Sequence, residues 1–216
     1  MITAAEKTKG STTGTSFTSA SITPLANTTV FLAVATRMPG GTAANALVSV
    51  SGCNLTWTKI ADQIYSADSH RRINLWKGTG TAPSAGTVTG SFSGQSQSNI
   101  NWCIVEFSGV NPQGNVVQSA STYANATSVT ATLGAFAKVA NATVGAFGYS
   151  AGSETVGSGF TMVSDTGLGD QTGCCIEFKN TNDTTVDLSN SSTEMGVIAT
   201  ELNADLSNPR ILLMMM

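Results

Sequence analysis

Residues 99–110 read N-I-N-W-C-I-V-E-F-S-G-V, and this stretch decides the fold class. Side chains alternate between the two faces of a strand. Both faces are apolar here: Ile100, Trp102 and Ile104 on one, and Cys103, Val105 and Phe107 on the other. This pattern is typical of a central strand covered by two layers. Glu106 is the exception, and Ser108-Gly109 followed by Asn111-Pro112 ends the strand.

The same alternation, interrupted by turn residues, continues along the chain and predicts about a dozen short strands. They fall at 16–23, 28–37, 46–50, 55–60, 70–77, 87–93, 128–133, 139–149, 160–163, 173–179, 184–188 and 194–202, with a further segment starting at 116. Residues 51–54, S-G-C-N, predict a hairpin between two of them. No convincing amphipathic helix and no linker interrupts the series, so we expect an all-β protein, an antiparallel β-sandwich or barrel.

The two ends of the chain differ from this pattern. Residues 1–16 are mostly Thr, Ser, Gly and Ala, which predicts an extended N-terminal arm before a single domain at 17–216. The arm is either a disordered tail or a grip on a neighbouring subunit. If it is a grip, its deletion should weaken assembly and leave the body folded. Residues 211–216, I-L-L-M-M-M, are apolar, and we expect them to pack into the core or a subunit interface.

The composition limits the classes of partner. Of 216 residues, 41% are hydrophobic and only 11% are charged, so Ser, Thr, Asn and Gly must fill the surface, which suits neutral partners or close packing against protein. The net charge of −3 and the absence of a basic stripe argue against nucleic acid. No apolar run is long enough to span a membrane. The N-terminus lacks the apolar core of a signal peptide, so we expect a protein that stays in the cell that makes it or leaves by lysis.

Cysteine and histidine offer little chemistry. The four cysteines, Cys53, Cys103, Cys174 and Cys175, have no zinc-site spacing, and we expect free thiols. The single histidine, His70, precedes Arg71 and Arg72. No G-x-S-x-G elbow accompanies it, so we interpret it as a polar loop or strand-edge residue. One histidine excludes a metal centre built from a histidine cluster.

A carboxylate pair is the alternative that points to an enzyme. The segments 103–107, C-I-V-E-F, and 174–178, C-C-I-E-F, resemble each other and indicate equivalent strands of a doubled Greek key, or simply two buried strands of similar composition. They place Glu106 and Glu177 at matching positions, and a glycosidase needs two carboxyl groups at a defined separation. The alternative is that Glu106 lies at a sheet rim or pairs with an arginine: Arg37, Arg71 or Arg72.

Two further kinds of site are conceivable. The loops 165–170, D-T-G-L-G-D, and 180–183, N-T-N-D, are rich in the oxygen ligands that Ca²⁺ prefers, although Asp and Asn also cap their own turns. Sugar binding would use exposed aromatic side chains, although any of these can instead belong to the core. The candidates are Trp57, Trp76, Tyr65, Tyr123 and Tyr149.

The order of several strings is similar to a known family. T-V-F-L-A-V-A (29–35), L-T-W-T-K-I (55–60), I-N-L-W-K-G (73–78), G-T-V-T-G-S-F (86–92) and W-C-I-V-E-F-S-G-V (102–110) occur in this order. Their layout, over roughly residues 17–202, resembles a jelly-roll domain that recurs in tailed-phage structural proteins and in some bacterial surface proteins. The strings are core strands and carry no site.

This resemblance implies a non-enzymatic virion protein with a jelly-roll sandwich at 17–216. The expected role is capsid decoration, through binding to the major capsid protein or to copies of itself in a homotrimer. We expect no catalytic residue, no metal and no cofactor. The alternatives are a tail accessory protein and a carbohydrate-binding module that recognises surface glycans.

Overall fold

The computed structural model describes residues 1–39, 42–111, 115–150, 152–168, 171–191 and 194–205. These residues form strands and turns, and no helix that could cross a membrane occurs among them. The strands are β1 (Thr3–Gly14), β2 (Ser16–Thr18), β3 (Thr29–Arg37), β4 (Leu47–Gly52), β5 (Thr56–Ile64), β6 (Arg71–Thr79), β7 (Val88–Phe92), β8 (Gln97–Ser108), β9 (Val116–Ala124), β10 (Ser128–Thr132), β11 (Ala142–Tyr149), β12 (Thr155–Val156), β13 (Thr161–Asp165), β14 (Gly173–Lys179), β15 (Thr185–Ser189) and β16 (Met195–Leu202).

Strands β1–β8 form a first sandwich of two sheets. Five strands make the first inner sheet, in the order β1-β8-β3-β6-β5, and three make the first outer sheet, in the order β2-β7-β4. All of these pairings are antiparallel. In both sheets, strands from the start of this half of the chain lie next to strands from its end, as in β1-β8-β3 and β2-β7-β4. This is the jelly-roll arrangement. The predicted all-β, antiparallel sandwich with jelly-roll-like order is therefore confirmed.

Strands β9–β16 repeat this topology. The second inner sheet has the order β9-β16-β11-β14-β13, and the second outer sheet has the order β10-β15-β12. Adding eight to each strand number of the first sandwich reproduces both orders. The sequence predicts one jelly roll over residues 17–216, whereas the structure divides the chain between two jelly rolls of the same strand order.

The four sheets are stacked, with the two inner sheets face to face and an outer sheet on each side. One apolar cluster lies between the two inner sheets. Each inner sheet also encloses one further cluster with its own outer sheet. Across the centre β3 packs on β11, β8 on β14, β6 on β16, β5 on β9 and β1 on β13. This set of contacts is unchanged when the two halves are exchanged, so an approximate two-fold relation holds between them.

This stacking explains why the central strands are apolar on both faces. Cys103, Val105 and Phe107 of β8 belong to the cluster between the halves, and Ile100, Trp102 and Ile104 belong to the first sandwich. The prediction of a doubly covered strand at 99–110 is confirmed. The same holds for β3, in which eight of nine residues are buried.

The two strands with similar sequences are not topological equivalents. The strand order makes β16 the counterpart of β8, and β14 the counterpart of β6. Instead, β8 and β14 pack against each other across the centre, where the Cys103 thiol donates to the Cys174 carbonyl oxygen at 3.2 Å. Their shared composition reflects burial on two faces. All four cysteines are free, as predicted.

Most residues of the predicted arm belong to the sandwich. Thr3–Gly14 is extended, as expected, but it pairs along its length with β8 as an edge strand, and Ile2 before it is buried. The burial of alternate side chains is incomplete because the strand lies at the sheet edge. The predicted apolar tail at 211–216 lies outside the described residues.

The hairpin predicted at 51–54 is wrong. Cys53 and Asn54 have the positive φ angles of a tight turn, but the strands on either side belong to different sheets. The β4 strand pairs with β7, and β5 pairs with β6. A local turn signal predicts a reversal of the chain and does not determine whether the two strands then pair.

Candidate functional site

The two glutamates considered as a catalytic pair lie on opposite sides of the central core. Glu106 lies on the Trp102 face of β8 and points into the first sandwich. Glu177 lies on the Cys175 face of β14 and points into the second sandwich. Both inner sheets and the cluster between them separate the two carboxyl groups, so the carboxylate pair considered as the alternative does not form.

Glu106 is a buried carboxylate held by three donors. Its Oε1 accepts from the Leu25 backbone N–H at 2.6 Å and the Thr28 hydroxyl at 2.8 Å, and its Oε2 pairs with Lys7 at 3.0 Å. The cation that pairs with Glu106 is Lys7 of β1, not one of the three arginines considered. Burial opposes ionisation, but these hydrogen bonds and the lysine charge outweigh it and lower the pKa of Glu106.

The structural counterpart of Glu106 is Glu201, which the sequence analysis missed. Glu201 lies on β16 and accepts from the Ala137 backbone N–H at 2.9 Å, from the Asn141 side chain and from Gln118 at 2.7 Å. The donors occupy matching positions in the two halves. Lys7 and Gln118 lie on the first strand of each half, β1 and β9. Thr28 and Asn141 directly precede the third strand, β3 or β11, and Leu25 and Ala137 lie in the loop before it. The only sequence signal is V-E-F at 105–107 against T-E-L at 200–202.

Glu177 has the opposite environment. Its side chain is fully buried, Oε2 accepts only a long 3.4 Å bond from the Gly157 N–H, and Oε1 has no partner among the described residues. Burial raises the pKa of Glu177 to about 8, and the nearby Asp187 and Asp183 charges add to this effect. The carboxyl group is therefore mostly protonated at neutral pH.

A cluster of mixed chemistry lies where the two halves meet. Asp68 and His70 precede β6, Glu194 precedes β16, and the potential ligand atoms of the three side chains all lie within 4.8 Å of one another. Asp68 contacts His70 Nδ1, and Arg71 donates to Glu194. His70 lies at a strand edge, as expected, but Glu194 is 124 residues away in sequence, so no local pattern could have joined them.

The five candidate aromatic side chains do not form a common surface. Trp76, Tyr65 and Tyr149 are buried, Trp57 is half-buried against the first core, and Tyr123 is half-exposed on β9. Trp57 donates to the Gly52 carbonyl oxygen at 3.2 Å. Four of the five are therefore structural.

Tyr65 shows what such a ring does. It lies in the cluster between the halves, where a Cβ added at either Gly148 or Gly196 would come within 2.6 Å of its side chain. These two glycines of the second half form a recess for a ring from the first half. Tyr65 therefore fixes how the two sandwiches pack.

The loops considered for calcium use their carboxylates locally. Asp165 accepts from the Tyr149 hydroxyl and from the Gly167 N–H at 2.9 Å. Asp183 pairs with Lys179 at 2.6 Å and accepts from the Thr185 N–H at 2.9 Å. These contacts are those of turn-capping residues. Residues 169 and 170 lie outside the described residues.

One cleft is lined entirely by uncharged residues. It has a volume of about 370 Å³ and lies beside the paired ends of β5 and β6 and the loop before β3. Its hydrogen-bonding side chains are Asn27, Thr28, Asn54, Thr56, Thr79 and Thr81. Side chains of this kind bind hydroxyl and amide groups of neutral ligands.

Comparisons with models of known protein families, with curated proteins and with solved structures find no match for this chain.

Proposed function

We propose that this protein is a non-enzymatic structural component of a virion, a capsid decoration protein that binds the assembled shell. The observation that carries the proposal is the chemistry of the two outer sheets, whose solvent faces are ordered arrays of hydroxyl groups. The jelly roll itself occurs in viral capsid proteins and in lectins, so the fold supports the proposal only by analogy.

The first outer sheet presents two rows of hydroxyl groups. The antiparallel register aligns Ser16 with Ser91 and Ser49, and Thr18 with Thr89 and Ser51. Phe17, Val88 and Leu47 point the other way, into the core. The face is therefore uncharged at all six aligned positions.

The second outer sheet has an equivalent face at the opposite end of the stack. Ser128 aligns with Ser189 and Thr155, Thr130 aligns with Asp187, and Thr132 aligns with Thr185. Six of these seven side chains carry a hydroxyl group, and Asp187 is the single charge.

Such faces suit contact with a neutral protein surface. Burying a charge in an interface costs free energy unless it is paired, whereas a hydroxyl group can donate or accept and adapts its rotor to the partner. A protein that binds only the assembled shell stabilises the shell by mass action. If it binds as a homotrimer, several contacts are made together and their affinities reinforce each other.

The test is co-sedimentation of the purified protein with shells assembled from the major capsid protein of the same genome. Thr18→Lys and Thr130→Lys place the same charge at equivalent exposed positions of the two outer faces, so each variant is a control for the other. We expect binding by the unmodified chain, and a loss of about tenfold or more in affinity for at least one variant. Absence of binding, or binding that neither variant weakens, would refute the proposal.

Carbohydrate binding is the second candidate, and the neutral cleft beside β5 and β6 favours it. A glycan array with the unmodified chain tests this function, with Thr56→Lys as the variant that blocks the cleft. Saturable binding that the substitution abolishes would favour the carbohydrate-binding function over capsid decoration.

A further inference from the structure

We propose that Asp68, His70 and Glu194 bind one divalent transition-metal ion, of the Zn²⁺ class, at the junction between the two jelly rolls. The three potential ligand atoms lie within 4.8 Å of one another. Zn²⁺ binds nitrogen and carboxylate oxygen at about 2.0–2.2 Å, so two ligands of one ion lie at most about 4.4 Å apart. Small side-chain rotations therefore bring the three atoms onto one ion.

The backbone around His70 is firmly held. The Met38 N–H donates to the His70 carbonyl oxygen at 2.8 Å, and the Ala44 N–H donates to the Ser69 carbonyl oxygen at 2.9 Å. Ser69 has a positive φ of 64°, which turns the chain so that Asp68 and His70 point to the same side. Two of the three ligands thus come from a turn that is fixed before any ion binds.

Glu194 comes from the other half of the molecule and is equally well placed. The next residue, Met195, is fully buried and pairs with both β9 and β11. The ion would therefore connect the turn before β6 with the start of β16. A ligand shared between the two halves stabilises their packing by mass action.

The two carboxylates of the group match the charge of a dication. Asp68 and Glu194 contribute two negative charges, and Arg71 and the neighbouring Arg37 are the positive charges beside them. Arg71 donates to Glu194 Oε2. A carboxylate has two oxygens with about four acceptor sites, which is enough for a guanidinium and a metal ion together.

The ligand set selects the kind of ion. Ca²⁺ and Mg²⁺ take oxygen ligands, whereas an imidazole with two carboxylates suits Zn²⁺ and its neighbours in the transition series. The four cysteines, which are the strongest competing zinc ligands, are buried and lie elsewhere in the fold.

The experiment is calorimetric titration of the EDTA-treated full chain with Zn²⁺, together with the visible absorption spectrum of the Co²⁺ form. We expect one ion per chain, and d–d absorption without a thiolate charge-transfer band. His70→Gln and Asp68→Asn should each weaken Zn²⁺ binding by about tenfold or more. Asp187→Asn, the same chemical change on the second outer sheet, should leave it unchanged.

Asp68 is the decisive position because its exposed side chain can be changed without disturbing the core. Near-ultraviolet circular dichroism confirms that each variant is folded before titration. The absence of Zn²⁺ binding by the unmodified chain would overturn the proposal. So would a thiolate band, or an affinity that Asp68→Asn and Asp187→Asn share.

Discussion

Glu177 makes the stability of this protein depend on pH in a direction opposite to that of an ordinary paired carboxylate. Its pKa of about 8 exceeds the usual value of 4.5, because the side chain is fully buried and the Asp187 and Asp183 charges lie nearby. One of its carboxyl oxygens has no partner in the described part of the chain. Between those two pH values the folded chain keeps a proton that the unfolded chain releases. The free energy of unfolding therefore falls as pH rises through this window and levels off above it.

The size of this effect follows from the pKa shift. One unit corresponds to about 1.4 kcal/mol. At pH 7 the unfolded carboxyl group is already ionised, so Glu177 costs on the order of 3 kcal/mol relative to acidic solution, and on the order of 5 kcal/mol above pH 8. Glu177→Gln keeps the shape and cannot ionise, so the variant should lack this contribution.

The assay is denaturant unfolding of both proteins at pH 5, 7 and 9, with the difference in free energy of unfolding taken at each pH. Other titrating groups are common to the two proteins and cancel in the difference. We expect the variant to gain stability relative to the unmodified chain by about 2–3 kcal/mol between pH 5 and 7, and further at pH 9. A difference that stays constant from pH 5 to 9 would show that Glu177 does not hold a proton in the folded state.

Three further perturbations test the architecture. Glu106→Gln and Glu201→Gln should each lower the free energy of unfolding at neutral pH by about 2–3 kcal/mol, because each replaces a buried acceptor of several hydrogen bonds. The pKa of Glu106 is lowered, so urea unfolding should show that the loss of stability in Glu106→Gln becomes smaller as pH falls below about 4. Gly148→Ala should lower the melting temperature, since the added carbon meets a buried ring, whereas Gly152→Ala, with no atom within 4 Å, should not. Deletion of residues 1–14 removes β1 and should abolish the cooperative transition in calorimetry; a truncated chain that melts like the full chain would restore the interpretation of an arm.

The individual strands were predictable because the information is local. Alternation along residues 99–110 and at 28–37 shows burial on one face or two without reference to the rest of the chain. Turn residues then limit the strand ends. The all-β class, the free thiols and the neutral hydroxyl-rich surface follow from the same local reading.

The candidate site was much less accessible to this reasoning. His70 was visible as the single histidine, but its neighbour Glu194 comes from the other jelly roll. Glu177 lies in a sequence similar to that around Glu106, yet the residue equivalent to Glu106 in the fold is Glu201. The similarity between residues 103–107 and 174–178 reflects burial of both strands, whereas topological equivalence depends on which strands pair in each sheet.

The sequence by itself determined that this chain forms short antiparallel strands, several of them covered on both faces, with a surface of Ser and Thr. Only the tertiary structure decided that the covering layers come from a second jelly roll and that Thr3–Gly14 completes the first inner sheet. The same holds for the burial of Glu177, one oxygen of which has no partner among the described residues. The physical reason is that hydrophobic alternation indicates which faces of a strand must be buried, because burial of apolar surface is favourable against any apolar partner. It does not specify which part of the chain covers each face.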